Sequence, residues 1–212
     1  MSHRRRAKKQ HLVQELEDFC ASESLCLKGL REKTKNVPPD AVDGSDFMHY
    51  ACENENVTKG IIEHLIRVYP KAVGKKRSGD GLYPIHSACG NCHCPGSGIK
   101  LLLKKDPDLI KAPSDDQMLP LHCYISRWSN YDHRIIEYLV KEYPEALTLT
   151  IGAPTCTPLQ LLCQEGEEIS LELVRLLVDE NKKCLDMEGG HQYGRPIISL
   201  LSNASIGPPP VN

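Results

Sequence analysis

Aromatic residues are scarce in this chain of 212 residues: two Phe, one Trp and eight Tyr make up 5% of it. A core built from such a sequence must be aliphatic, drawn from Leu, Ile, Val and Ala. Long apolar runs are missing as well. None approaches the roughly eighteen residues that a membrane helix needs, so no spanning segment is expected. The basic start, Met1-Ser-His-Arg-Arg-Arg-Ala-Lys-Lys9, reaches Leu12-Val13 and passes at once to Gln14 and Glu15. The apolar stretch of a secretory signal does not occur there. The expected location is therefore intracellular, cytoplasmic or nuclear, with the ten cysteines mostly as thiols. No Gly-rich phosphate loop, Gly-x-Ser-x-Gly elbow or His-Glu-x-x-His occurs, so neither an enzyme nor a cofactor is expected. What remains is ordinary for a soluble chain with a core: 40% hydrophobic and 25% charged residues.

Charge is unevenly placed. Arg4, Arg5, Arg6, Lys8 and Lys9 put five positive charges into the first nine residues, so the rest carries −7 of a net −2. An acidic body repels a polyanion, and no nucleic-acid partner is expected. The run from Arg4 to Lys9 resembles a short nuclear import signal; a solvated, disordered terminus is the other reading of the same residues.

Self-similarity decides the fold class. Pro84-Ile-His, Pro120-Leu-His, Pro158-Leu-Gln and Pro196-Ile-Ile recur at intervals of 36, 38 and 38, and Phe47-Met-His sits 37 residues before Pro84. Proline suits the first helical position, where its missing N–H costs nothing, and Thr157 is a fitting cap before Pro158. Apolar residues follow at i, i+3 and i+4: Met48/Ala51/Cys52, Ile85/Ala88/Cys89, Leu121/Tyr124/Ile125, Leu159/Leu162/Cys163 and Ile197/Leu200/Leu201. A second helix repeats the stripe with Ile62/Leu65/Ile66, Ile99/Leu102/Leu103, Ile136/Leu139/Val140 and Leu173/Leu176/Leu177. Tyr69-Pro70, Asp106-Pro107 and Tyr143-Pro144 then end three of these helices, because the residue before proline leaves α geometry. A short helix pair cannot bury its stripe alone, whereas stacked neighbours can. The expected fold is an all-α solenoid.

The run Asp80-Gly-Leu-Tyr-Pro-Ile-His-Ser-Ala-Cys89 resembles the opening of an ankyrin repeat, and the downstream Ile-x-x-Leu-Leu helix matches too. The likeness covers about three quarters of the chain. It departs at Gln160, which replaces the His, and in a period longer than the family's ~33 residues. It implies that His49, His86 and His122 are structural, bonding within finger and helix turn. It also implies that loops between repeats form fingers which, with the first helices, make a binding face.

The expected organisation is a disordered basic arm at 1–11, an amphipathic N-terminal capping helix at 12–35 and a linker at 36–43. Four to five ankyrin-like repeats span 44–206 (44–80, 81–116, 117–154, 155–193 and a partial 194–206), before a tail at 207–212. Leu12, Leu16, Phe19, Cys20, Leu27 and Leu30 form the stripe of the capping helix, which would cover the end of the array.

One cluster suggests metal or redox chemistry: Cys92-His93-Cys94, with Cys89 and His86 just upstream. Cys89 falls on the repeated stripe with Cys52 and Cys163, which points to core packing. That leaves three candidate ligands in one turn and no second pair, so a zinc- or redox-responsive sensor is the alternative reading. The leading reading is a non-enzymatic, monomeric scaffold or adaptor whose partner is another protein. Its fingers carry Lys75, Lys76 and Arg77, then Asp115 and Asp116, charges suited to orienting a partner. Tyr83, Arg127, Trp128 and Tyr131 are the candidate anchors, since aromatics and Arg dominate binding energy.

Overall fold

The computed structural model describes residues 2–127, 132–151, 156–165 and 171–185. Among them are ten α-helices and five short 3-10 turns, with no strand and one antiparallel bridge between Ile151 and Cys156. No described helix is long and apolar enough to cross a membrane. The chain divides into two compact units, residues 1–109 and 110–212. The partial repeat at 194–206 and the tail lie outside the described residues.

The first unit holds α1 (Ser2–Ala21), α2 (Leu27–Thr34), α3 (Phe47–Glu53), α4 (Lys59–Val68), α5 (Pro84–Gly90) and α6 (Gly96–Lys105). Consecutive helices pair, and the pairs stack in two layers. Helix α3 packs between α1 and α5, while α4 packs between α2 and α6. The core between the layers is the aliphatic stripe. Phe47, Met48, Ala51 and Cys52 are buried, as are Ile62, Leu65, Ile85, Ala88, Cys89, Ile99, Leu102 and Leu103. Tyr69 is also buried; its hydroxyl donates to the Val37 carbonyl at 2.9 Å and its ring meets Phe47 edge-on at 5.0 Å.

The second unit repeats the plan with α7 (Pro120–Ile125), α8 (His133–Glu142), α9 (Pro158–Glu165) and α10 (Leu171–Glu180). Helix α7 pairs with α8 and packs on α9, and α8 packs on α10. Pro84, Pro120 and Pro158 each open a helix, as their fixed φ favours. Helices α4, α6 and α8 stop at the residue before Tyr-Pro or Asp-Pro, and each of these prolines starts a 3-10 turn: Pro70–Gly74, Pro107–Lys111 and Pro144–Thr148.

The N-terminal flank differs from expectation in two ways. Residues 2–11 continue α1 rather than forming a disordered arm. Ala7, Lys8, Lys9, Gln10 and Leu12 are good helix formers with no Gly or Pro among them. A His11–Glu15 contact at 3.0 Å spans one turn, and Lys9 reaches Asp40 at 2.7 Å. Residues 12–35, expected as one helix, are the end of α1 and all of α2, broken at 22–26. Ser22 folds back to donate to the Phe19 carbonyl at 2.9 Å, and the Cys26 thiol caps α2 by accepting the Gly29 N–H at 3.4 Å. The Phe19 ring lies so close to Gly29 that a Cβ there would sit 2.5 Å from it. A helical hairpin results, and it is a first helix pair in all but sequence motif. Thr58 caps α4 as Cys26 caps α2, bonding the N–H three residues on.

Candidate functional site: the finger and first-helix face

Each first helix opens under a finger, and the side chain two residues after its first residue holds the two together. The His122 Nδ1 accepts the Leu119 N–H at 3.2 Å; its Nε2 therefore carries hydrogen and donates to the Leu149 carbonyl of the following loop at 3.2 Å. His86 Nδ1 accepts the Tyr83 N–H at 3.0 Å in the same way. Where Gln160 replaces the imidazole, its Oε1 accepts the Thr157 N–H at 2.8 Å, and Thr157 Oγ1 accepts the Gln160 N–H at 3.3 Å. The amide thus keeps the helix-start bond.

His49 behaves differently. Its Nε2 donates to the Leu82 carbonyl at 3.0 Å, but the Asp46 N–H that should meet Nδ1 goes to Glu17 Oε1 at 2.7 Å. The same carboxylate oxygen accepts from Ser45 Oγ at 2.7 Å. Glu17 therefore ties α1 to the loop before α3, and His49 Nδ1 is left buried with no hydrogen-bond partner. Burial lowers the His49 pKa, against the opposing pull of its Leu82 bond and of Asp46.

The finger between α4 and α5 is closed by its own charges. Arg77 Nε and Nη2 hold Asp80 at 3.0 and 2.6 Å, and Nη1 reaches Glu53 on α3 at 2.7 Å. Ser87 on α5 donates to the same Glu53 oxygen at 2.8 Å. Asp80, accepting from Arg77 and from the Leu82 N–H, is held below the ordinary carboxylate range, and the Arg77 pKa is raised by the same pair. The guanidinium joins finger, α3 and α5, so Arg77 serves the scaffold. Lys75 is similarly engaged, donating to the Ser45 carbonyl at 2.6 Å. Lys76 is exposed on this finger, and Tyr83 is half-buried with its ring stacked on His86 at 5.8 Å. In the second unit Asp115 and Asp116 are exposed on the turn before α7. There Gln117 adopts φ 62°, a left-handed conformation that Gly81 adopts with φ 66° in the preceding finger.

Arg127 is buried rather than presented: its guanidinium lies 3.8 Å over the Tyr124 ring and donates to the Tyr124 hydroxyl at 2.7 Å. Trp128 and Tyr131 lie outside the described residues. The Cys92–Cys94 turn splits its ligand types. Cys94 is buried with its Sγ 3.9 Å from the Pro95 carbonyl, Cys92 is half-buried and His93 is exposed. Among the described residues no three His, Cys, Asp or Glu side chains gather as metal ligands would. Burial pushes the Cys20 and Cys123 thiols up to about 12 and raises Cys52 well above its ordinary value, so these buried cysteines are poor nucleophiles.

Two features escape the repeat pattern read from sequence. Asn91 Nδ2 donates to the carbonyls of Cys52 and Asn54, both at 2.9 Å, catching the orphan acceptors at the end of α3. Asn54 does the same for α1, donating to Cys20 and Ser22 at 3.1 and 2.8 Å. The second feature is a cleft of about 580 Å³ between the loop at 39–44 and Tyr69–Lys75. Pro39, Val42, Pro70 and Ala72 line it, with Asp40 and Asp43 from one loop and Lys71 and Lys75 from the other.

No protein-family model matches this chain, and no curated protein matches it.

Proposed function

We propose that this chain is a non-enzymatic, monomeric protein-interaction scaffold, an ankyrin-like solenoid whose partner, another protein, binds the finger and first-helix face. The observation that carries the reading is the recurrence of one hydrogen-bonded plan. His86, His122 and Gln160 fasten successive helix starts, and Asn54 and Asn91 fasten successive helix ends. A catalytic group is normally singular, whereas a group present in every unit serves the unit. Imidazoles, amides and Arg77 hold the frame, and the candidate contact residues are Lys76 and Tyr83 in the first unit and Asp115 and Asp116 in the second. Charges of both signs there would orient the partner. The stretch from Arg4 to Lys9 supports a nuclear or cytoplasmic location by its likeness to an import signal.

Affinity capture followed by mass spectrometry tests this reading, comparing the wild type with Lys76→Glu/Asp115→Lys/Asp116→Lys. The expected outcome is a specific partner that the variant loses while its melting temperature holds. A partner retained in full by the variant would place the interface elsewhere, and zinc bound stoichiometrically to the purified protein would favour the sensor.

A further inference from the structure

The layer of second helices in the first unit is strongly basic. Residues 27–35, 59–71 and 96–108, which contain α2, α4 and α6, hold ten Lys and Arg against four Asp and Glu, although the whole chain is −2. The last turns carry Arg31 and Lys33, then Arg67, then Lys104 and Lys105. Helix dipoles alone would favour cations there. They would favour them equally on α8 and α10, yet residues 133–145 hold two Lys and Arg against three Glu, and residues 171–183 hold three against three Asp and Glu. The excess therefore needs another cause. Lys28, Arg31, Lys59, Lys71, Lys104 and Lys105 are all exposed. None of these six is ion-paired to a described carboxylate, in contrast to Lys33 with Glu15 and Lys35 with Glu32.

We propose that this face, across α2, α4 and α6, docks an extended acidic polypeptide segment, separately from any partner on the fingers. Neighbouring helix axes lie about 8–10 Å apart, so the three helices span about 20 Å, the length of about six extended residues. An acidic segment of that length meets cations on each helix in turn. The face offers little to the other polyanions. It carries no exposed large apolar side chain to enter a bilayer; among the described residues the exposed one is Leu149, in the other unit. It has no exposed aromatic ring on which a nucleic-acid base would stack. Its helices lie side by side, so none projects into a duplex groove.

The test is fluorescence anisotropy of the full chain with a labelled peptide of about eight alternating Glu and Asp residues. Short duplex DNA and phosphatidylserine vesicles are the competing probes. The peptide is expected to bind, to weaken as salt rises, and to lose at least about tenfold in affinity in Lys28→Glu/Lys104→Glu/Lys105→Glu. The neutral variant Lys28→Gln/Lys104→Gln/Lys105→Gln should fall between, and Lys76→Glu on the finger should bind as the wild type does. Peptide affinity unchanged by the triple reversal overturns the proposal, and so does tighter binding of duplex or vesicle than of peptide. Because Lys76→Glu reports on the fingers alone, loss of the finger partner and loss of this face are separable results.

Discussion

Asn54 and Asn91 stand 37 residues apart and act alike, for each amide holds two carbonyls at the end of the preceding first helix. Replacing Asn91 by Ala strands those acceptors in a part-buried site, and the expected cost is about 1–3 kcal/mol, read by urea unfolding. The histidine bonds also carry a pH dependence. His49 is held neutral by burial; His64 is too, between Arg67, whose Nη2 lies 3.0 Å from Nδ1, and the Thr34 hydroxyl at 2.8 Å from Nε2. A native state that disfavours the charged imidazole binds fewer protons than the unfolded chain, so stability is full above the ordinary histidine pKa of about 6.5 and is lost as pH falls through and below it. The melting temperature of the wild type should drop between neutral pH and pH ~5, and His49→Gln should flatten part of that drop. At this scale the sequence shows which residues recur, since Pro84, Pro120 and Pro158 share one register. It does not show that Glu17 has taken the bond meant for His49, because that depends on a contact 29 residues away.

Helix breaks and helix contacts belong to the next scale. Leu12, Leu16, Phe19, Cys20, Leu27 and Leu30 fit one amphipathic stripe, yet the chain turns at 22–26, where Ser22, Asn54 and Cys26 satisfy backbone groups that a continuous helix would have used. Periodicity sees the apolar face and is blind to where side chains from elsewhere terminate it. Glycine separates the two kinds of site well. At Gly29 an added Cβ would run into the Phe19 ring, so Gly29→Ala should push that ring out of its seat against α2 and cost about 1–3 kcal/mol. At Gly90, the last residue of α5, nothing lies within 4 Å of an added Cβ. Gly90→Ala should therefore leave stability equal or raise it by about 0.4–1 kcal/mol, through the unfolded chain. Thermal unfolding of the two variants side by side checks the pair; equal losses would mean that the Phe19 contact does not hold the hairpin.

For the whole molecule, the consequence of stacked pairs is that stability resides in units and in the seams between neighbours. The latches make this testable. Asn91 bonds the backbone of Asn54, and Asn54 in turn bonds the end of α1, so the two amides act on one connected seam. Removing Asn54 should loosen the segment whose carbonyl Asn91 grips, and the second loss should then cost less than it does in the intact protein. A double-mutant cycle on Asn54→Ala and Asn91→Ala is expected to give a coupling of at least about 0.5 kcal/mol. Leu139, buried on α8, shares no partner with Asn54. Leu139→Ala alone should cost about 2–5 kcal/mol by leaving a cavity. Combined with Asn54→Ala, it should add within about 0.5 kcal/mol. Urea unfolding by circular dichroism measures all the variants on one helical signal, with matched m-values confirming a common reaction. Additivity of the asparagine pair would mean that the seams are independent local caps; strong coupling of Asn54 to Leu139 would mean that the loss of one seam alters packing beyond its nearest neighbours.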